Sequence, residues 1–256
     1  VTLRTRAGRT VRVLLLSRDQ AENLWTARIA GADRLVLSPQ QVFFGGDAIH
    51  LRAQGTPSFS LGVFPALGSA PRGSAALRSG GMDGMFARYT ATLPPRPVRI
   101  GVTKTADAGL VPPVRLYNAV TWRKIEIALA PSDSAFERAA RWRIDLPPDA
   151  LAGKDDLFLD VRYAGDVARL YAGGELLDDN FFNGTTWTVG LRRYAAQLAR
   201  GPLELRVLPL RSDAPVFIPA AYRPRSFPPS GQVAEVQSID AVPEYELVVT
   251  PRPERR

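Results

Sequence analysis

No cysteine occurs in the 256 residues, and that absence excludes disulfides, thiol nucleophiles and cysteine-ligated metals together. Histidine is nearly missing as well. His50 is the single copy, so paired-histidine zinc is excluded and any Ser-His-Asp triad would have to use it. Its place between Ile49 and Leu51 in an alternating stretch reads as a surface or half-buried side chain without a chemical role. No apolar run approaches the roughly 20 residues that span a bilayer. Lysine is confined to Lys104, Lys124 and Lys154, so the formal net charge of +8 is carried by arginine. Those arginines are scattered along the chain, whereas a nucleic-acid interface needs them clustered. The densest run, Arg252, Arg255 and Arg256, reads as a proline-bearing chain end. Nucleic acid is therefore not an expected partner. Val1 opens on a strand-like pattern instead of a signal sequence, which implies that a leader was removed or that residues upstream are missing.

What is present is a globular composition, 45% hydrophobic and 23% charged, in a length that suits two domains. Arginine used in place of lysine, with abundant alanine, fits a GC-rich bacterial genome. With 22 prolines and 21 glycines, little room is left for long helices and short strands between turns are expected. Residues 1–6 and 10–16 read as a hairpin about Gly8. Ser17 then caps a short helical turn carrying Asp19, Gln20 and Ala21. Five strands, at residues 26–29, 34–37, 41–44, 48–53 and 59–64, imply a meander, with Trp25 at its edge read as core. Residues 68–84, rich in glycine and serine, read as a surface loop or domain boundary.

Strand patterns return at residues 85–93 and 98–105, then at 122–129, 141–146, 157–163, 168–171, 203–208 and 244–249. Trp122 and Trp142 are read as core. Short helices are expected at 132–140, capped by Ser132 or Asp133, and at 191–198. The fold class that follows is all-β, with two antiparallel β-sandwich domains. Residues 1–108 would form the first and residues 109–256 the second, a jelly roll. The strand 245–249 could return to either.

The segment LFLDVRYAGDVARLYAGGELLDDNFFNGTTWTVGLRRY, residues 157–194, resembles the C-terminal region of bacterial family 35 β-galactosidase-like glycoside hydrolases. The resemblance rests on the order of its parts: Tyr163, Gly165-Asp166-Val167-Ala168, Gly173-Gly174, Asp178-Asp179-Asn180, Asn183-Gly184, Trp187 and Gly190-Leu191. Residues 205–219 also resemble that family, and the opening hairpin and residues 35–53 do so more loosely. The resemblance of residues 157–194 implies that the jelly roll of the second domain is galactose-binding-domain-like. In the family a (β/α)₈ barrel carries two catalytic glutamates and is followed by β domains. Such a barrel needs about 250 residues of alternating strand and helix, which this sequence lacks. The resemblance therefore implies a non-catalytic accessory region whose partner is the missing barrel, in a periplasmic or secreted bacterial enzyme.

Candidate sites converge on the same segment. Glu175, Asp178 and Asp179 form the densest acidic group, but carboxylates after a glycine turn are normally solvated or bound to backbone N–H groups, and Asp155 and Asp156 read the same way. Asp178, Asp179 and Asn180, with Asn183, are hard oxygen donors of the kind calcium takes, so a structural calcium is one alternative to an Asx-rich turn. Trp187, Phe181 and Phe182 beside Asp179 and Asn183 offer rings and polar groups for a sugar. Against this, the spacing of Trp187 and Val189 puts both on one strand face, as in a packed core. Three functions follow: accessory region of the hydrolase, carbohydrate-binding module for a galactose-containing plant or microbial polysaccharide, or independent hydrolase. An exposed aromatic ring separates the first two, and converging carboxylates would be needed for the third.

Overall fold

Period-two burial runs through the strands. Arginine, histidine and polar side chains alternate with buried Ile49, Leu51 and Ala53 in one strand, and Leu157, Leu159 and Val161 alternate with half-buried neighbours in another. Side chains of a strand point alternately to its two faces, so such strands must cover one face with another sheet. The computed structural model, described for residues 2–68, 70–120 and 125–252, does this twice. Trp122, Lys124, Arg255 and Arg256 lie outside the described residues.

The strands in chain order are β1 (Thr2–Arg4), β2 (Thr10–Arg12), β3 (Leu24–Ile29), β4 (Ala32–Leu37), β5 (Gln41–Gly45), β6 (Ala48–Gln54), β7 (Ser58–Phe64), β8 (Arg72–Gly73), β9 (Arg78–Asp83) and β10 (Phe86–Thr92). They continue with β11 (Gly101–Ala106), β12 (Leu116–Val120), β13 (Ile125–Ala128), β14 (Ala140–Asp145), β15 (Leu157–Ala164), β16 (Val167–Ala172), β17 (Glu175–Phe181) and β18 (Trp187–Gly190). The last are β19 (Leu203–Val207), β20 (Leu210–Arg211), β21 (Gln232–Val233) and β22 (Glu235–Thr250). One compact unit comprises residues 1–95 with 244–256, and the other residues 96–243.

In the first unit, sheet β3-β4-β7-β10-β9 faces a sheet of β5, β6, β8 and the C-terminal part of β22. Ile29, Val36, Leu61 and Val63 from one sheet and Ile49, Leu51, Leu247 and Val249 from the other form a single core. The five strands expected as a meander are thus divided between two sheets, because β5 and β6 bury their apolar face against β4 and β7 instead of extending their sheet. Residues 68–84 are likewise no boundary. They contain β8 and β9, and β9 is an edge strand exposed along its length that pairs with β10. Ser17 caps helix α1 (Arg18–Glu22), as its sequence predicts, and the Gln20 side chain accepts from the Ser17 N–H to close a reciprocal box. Trp25 is only partly buried at the rim of this core.

The second unit packs sheet β11-β14-β19-β16-β17 on a sheet of β18, β15 and the N-terminal part of β22. The chain crosses between sheets from β14 to β15, β15 to β16, β17 to β18 and β18 to β19, the alternation of a jelly roll. Trp142, Ile144, Leu157, Leu159, Tyr163, Leu170, Trp187 and Leu205 form its centre. The stretch expected as a helix over 132–140 is a 3₁₀ segment, Asp133–Arg138, whose Ser132 makes no side-chain cap. It is fixed from below: Phe136 is buried and the Arg169 guanidinium lies 4.0 Å over its ring while reaching Asp133 at 2.6 Å.

Strand β22 begins nine residues before the expected one. Its Glu235–Pro243 part pairs with β15 and its Glu244–Val249 part with β6. Pro243 has no N–H to give a ladder, and it sits where the strand changes partner, so its presence hides the strand from a pattern reading without breaking it.

Candidate functional site

Gly173 and Gly174, at φ +55° and +85°, make the two-residue turn that returns the chain from β16 into β17. The acidic residues after that turn are therefore strand, not loop. Carboxylates along a sheet edge stay hydrated and discourage further pairing, which is why an acidic segment is tolerated here. Alternation then separates the predicted donors. Asp178 and Asn180 are half-buried on one face, whereas Asp179 and Phe181 are exposed on the other. Asp178 accepts from Arg193 at 3.0 Å and Glu175 from Arg200 at 3.1 Å. The Tyr163 hydroxyl donates to Asn180, 2.8 Å from its side-chain oxygen, and burial pushes the phenol up so that it remains a donor. Among the described residues no three histidine, aspartate or glutamate side chains are placed to hold a metal ion.

The aromatic candidates are separated in the same way. Trp187, 6% exposed, opens β18 facing the core, with its ring edge-on to Tyr163 at 6.5 Å. It presents no free face to a ligand. Phe182 meets Tyr163 from another side at 5.5 Å and is partly buried. Phe181, at 55% exposure, is at the surface, as are Asp179 and Asn183. The Asn183 side-chain oxygen accepts from the Thr185 N–H at 2.9 Å and its hydroxyl at 2.7 Å, closing an Asx turn. Asp156, another predicted solvated carboxylate, accepts the N–H groups of Leu157 and Arg192. His50 pairs with Glu246 at 2.9 Å.

A different place in the second unit has the form of a site. Antiparallel pairing puts the end of β11, the start of β14, the end of β19, the start of β16 and the end of β17 at one end of the five-stranded sheet. The loops joining them enclose a cavity of about 490 Å³ lined by Val111, Val114, Ser132, Ser134, Asp166, Leu208, Arg211 and four prolines, among others. Asp166 is delivered there by the two-residue link between β15 and β16. A side chain at Gly165 would strike Val207 at 2.4 Å, so only glycine lets the link pass this close to β19. The Asp166 N–H donates to Leu208 O at 2.8 Å. Its carboxyl oxygens accept no hydrogen bond from any described residue, and burial pushes the group up to about 6.

The cavity walls are tied down. Buried Gln232 donates to Gly109 O at 2.8 Å and accepts from the Val111 N–H at 3.1 Å. Arg211 donates to Val111 O at 3.2 Å while both its remaining bonds go to Asp213 at 2.7 Å, which holds the Asp213 carboxyl below its usual range. Arg138 reaches Leu110 O at 3.0 Å. Sequence reading identified none of these partners. Gly165-Asp166 was visible as a motif, but Arg211 and Gln232 meet Val111 across 100 and 121 residues, a relation no local pattern carries.

No protein-family model and no curated protein matches this chain. A solved rhamnosidase from Novosphingobium sp. PP1Y is similar over 87% of this chain at 13% identity, with a TM-score of 0.29. The chain covers 25% of that structure, and a likeness of this size leaves the reading of function to the residues themselves.

Proposed function

We propose that this chain is a non-catalytic accessory β-sandwich region of a β-galactosidase-like glycoside hydrolase, periplasmic or secreted, that supports a catalytic barrel carried elsewhere in its parent protein. One observation carries the reading: the segment that resembles the family, residues 157–194, forms β15 to β18 and supplies Tyr163, Leu170 and Trp187 to the centre of the second unit. The parts that make the resemblance are the parts that make the fold, as expected for a scaffold. Chemistry has less support. A retaining glycosidase holds two carboxyl groups about 5 to 5.5 Å apart, and the acidic residues of β17 are engaged by arginines or turned to opposite faces.

The complete reading frame and an activity assay test this together. A (β/α)₈ barrel encoded upstream, with no hydrolysis of aryl galactosides by the purified chain, is the expected result. A frame without a barrel, or turnover that is lost in a Glu175 or Asp179 alanine variant, overturns it. A carbohydrate-binding module is the second reading, favoured by the exposed Phe181 ring beside exposed Asp179 on the same strand.

A further inference from the structure

The Asp166 carboxyl is half-buried and desolvated at the cavity wall, yet receives no donor from the described residues, an arrangement that costs stability unless something else supplies the donors. It opens into a cavity whose wall is an irregular loop held by Gln232, Arg211 and Arg138. Ordering a loop in this way leaves a preformed hollow where collapse around Asp166 would otherwise have been free to occur. The volume of about 490 Å³ lies within the range of small-molecule sites, about 300 to 1,000 Å³.

We propose that this cavity binds one neutral, hydroxyl-rich unit of hexose size, with the Asp166 carboxylate accepting hydrogen bonds from a pair of its hydroxyls. The lining selects this chemistry. A cation is opposed by Arg115, Arg138 and Arg211 around the cavity, and an anion by Asp166 and Glu137. A neutral polyol meets neither penalty. Its C–H surface suits the prolines with Val114 and Leu208, and the Ser132 and Ser134 hydroxyls, 2.9 Å apart, add a donor and acceptor at the rim. Tyr163, the other titratable neighbour, spends its proton on Asn180 and leaves the Asp166 carboxyl open to a ligand. The proposal rests on the second unit and not on the hydrolase reading, so a reading frame without a barrel would leave it standing.

The test is a titration of the whole chain with methyl glucoside, methyl galactoside and methyl mannoside, following the methyl resonances of Val114 and Leu208, with inorganic phosphate as the competing probe. At least one hexoside should shift both residues. Its affinity should fall about tenfold between pH about 7 and pH about 5 as the carboxylate is protonated, and Asp166→Asn should bind at least tenfold more weakly without that pH dependence. If Asp166→Asn does not fold, the pH titration of the unaltered chain decides. The proposal is overturned by no shift at tens of millimolar of any hexoside, by hexoside affinity that ignores both pH and Asp166→Asn, or by phosphate occupying the site in place of the sugars.

Discussion

The two sandwiches use similar amounts of sheet to different ends. The first has one core, in which Phe59, Tyr89 and Tyr245 are set among aliphatic side chains such as Ile29, Val36, Leu61, Ile49, Leu51 and Val249. The second has an aromatic centre, with Tyr163 touching both Phe182 and Trp187, and two satellite clusters under its loops around Leu210 and Phe136. Satellite cores add little to a sandwich that is already closed. They order irregular chain at one end of the sheet, where the cavity lies, and long loops held in a single shape are where binding usually resides. The first unit is built for stability, whereas the second also maintains a shaped end.

The contrast is open to attack by substitution. The largest expected effect is at its centre: Trp187→Ala should destabilise the second unit by roughly 3 to 5 kcal/mol, the range for removing a buried large aromatic. Trp25→Ala, at the partly buried rim of the first core, should cost about 1 to 2 kcal/mol by the area it removes from water. Urea denaturation followed by circular dichroism measures both, and equal costs would erase the distinction between a ring at the centre of a core and one at its rim. Next comes Gln232→Leu, which strands the Val111 N–H and Gly109 carbonyl. A loss of about 1 to 3 kcal/mol is expected, together with faster hydrogen exchange at residues 109–111. Unchanged exchange there would mean that the loop does not depend on its buried amide.

Asp166→Asn should act in the opposite direction, because its carboxyl is raised by burial to about 6 and gains no hydrogen bond in return. Below about pH 4 the carboxyl is protonated in both folded and unfolded chains, and ionisation costs nothing. Between about pH 4 and 6 the unfolded chain releases the proton first, so stability falls, and above about 6 the full penalty applies. With allowance for partial exposure, the amide should gain on the order of 1 to 2 kcal/mol at neutral pH and nothing near pH about 4. Denaturation of both proteins at the two pH values checks the sign. The smallest stability effect belongs to Phe181→Ala, within about 0.5 kcal/mol because the ring is largely in water. Loss of retention on a galactan gel in this variant would favour the carbohydrate-binding reading, and retained migration the scaffold reading.

Much of the fold was legible because its signals are local. Alternation located β6, β7, β14, β15 and β19, the Ser17 cap located α1, and paired glycines located the turn at Gly173. Sheet membership was not legible, since the decision of β5 and β6 to leave the sheet of β4 depends on which surface needs covering, not on their own composition. β17 does not show in the pattern because only Leu177 packs on the core among its residues, and Asp178, Asp179 and Asn180 interrupt any apolar alternation. The candidate site divides similarly: the surroundings of Trp187 and Asn183-Gly184 follow from neighbours in sequence, but the cavity depends on Asp166 meeting loops that begin at Val111 and Leu208.

Strand β22 also bears on how the chain is made. A ribosome releases the first 95 residues well before Tyr245, Leu247 and Val249, which the first core requires and which shield the edge of β6. The second unit, continuous from residue 96 to 243, is complete sooner. Domains commonly fold in order of their emergence, yet here the amino-terminal sandwich must wait with an open strand edge until its neighbour has been synthesised. That interval is the time of greatest exposure to a chaperone, to a protease or to the edge of another nascent chain.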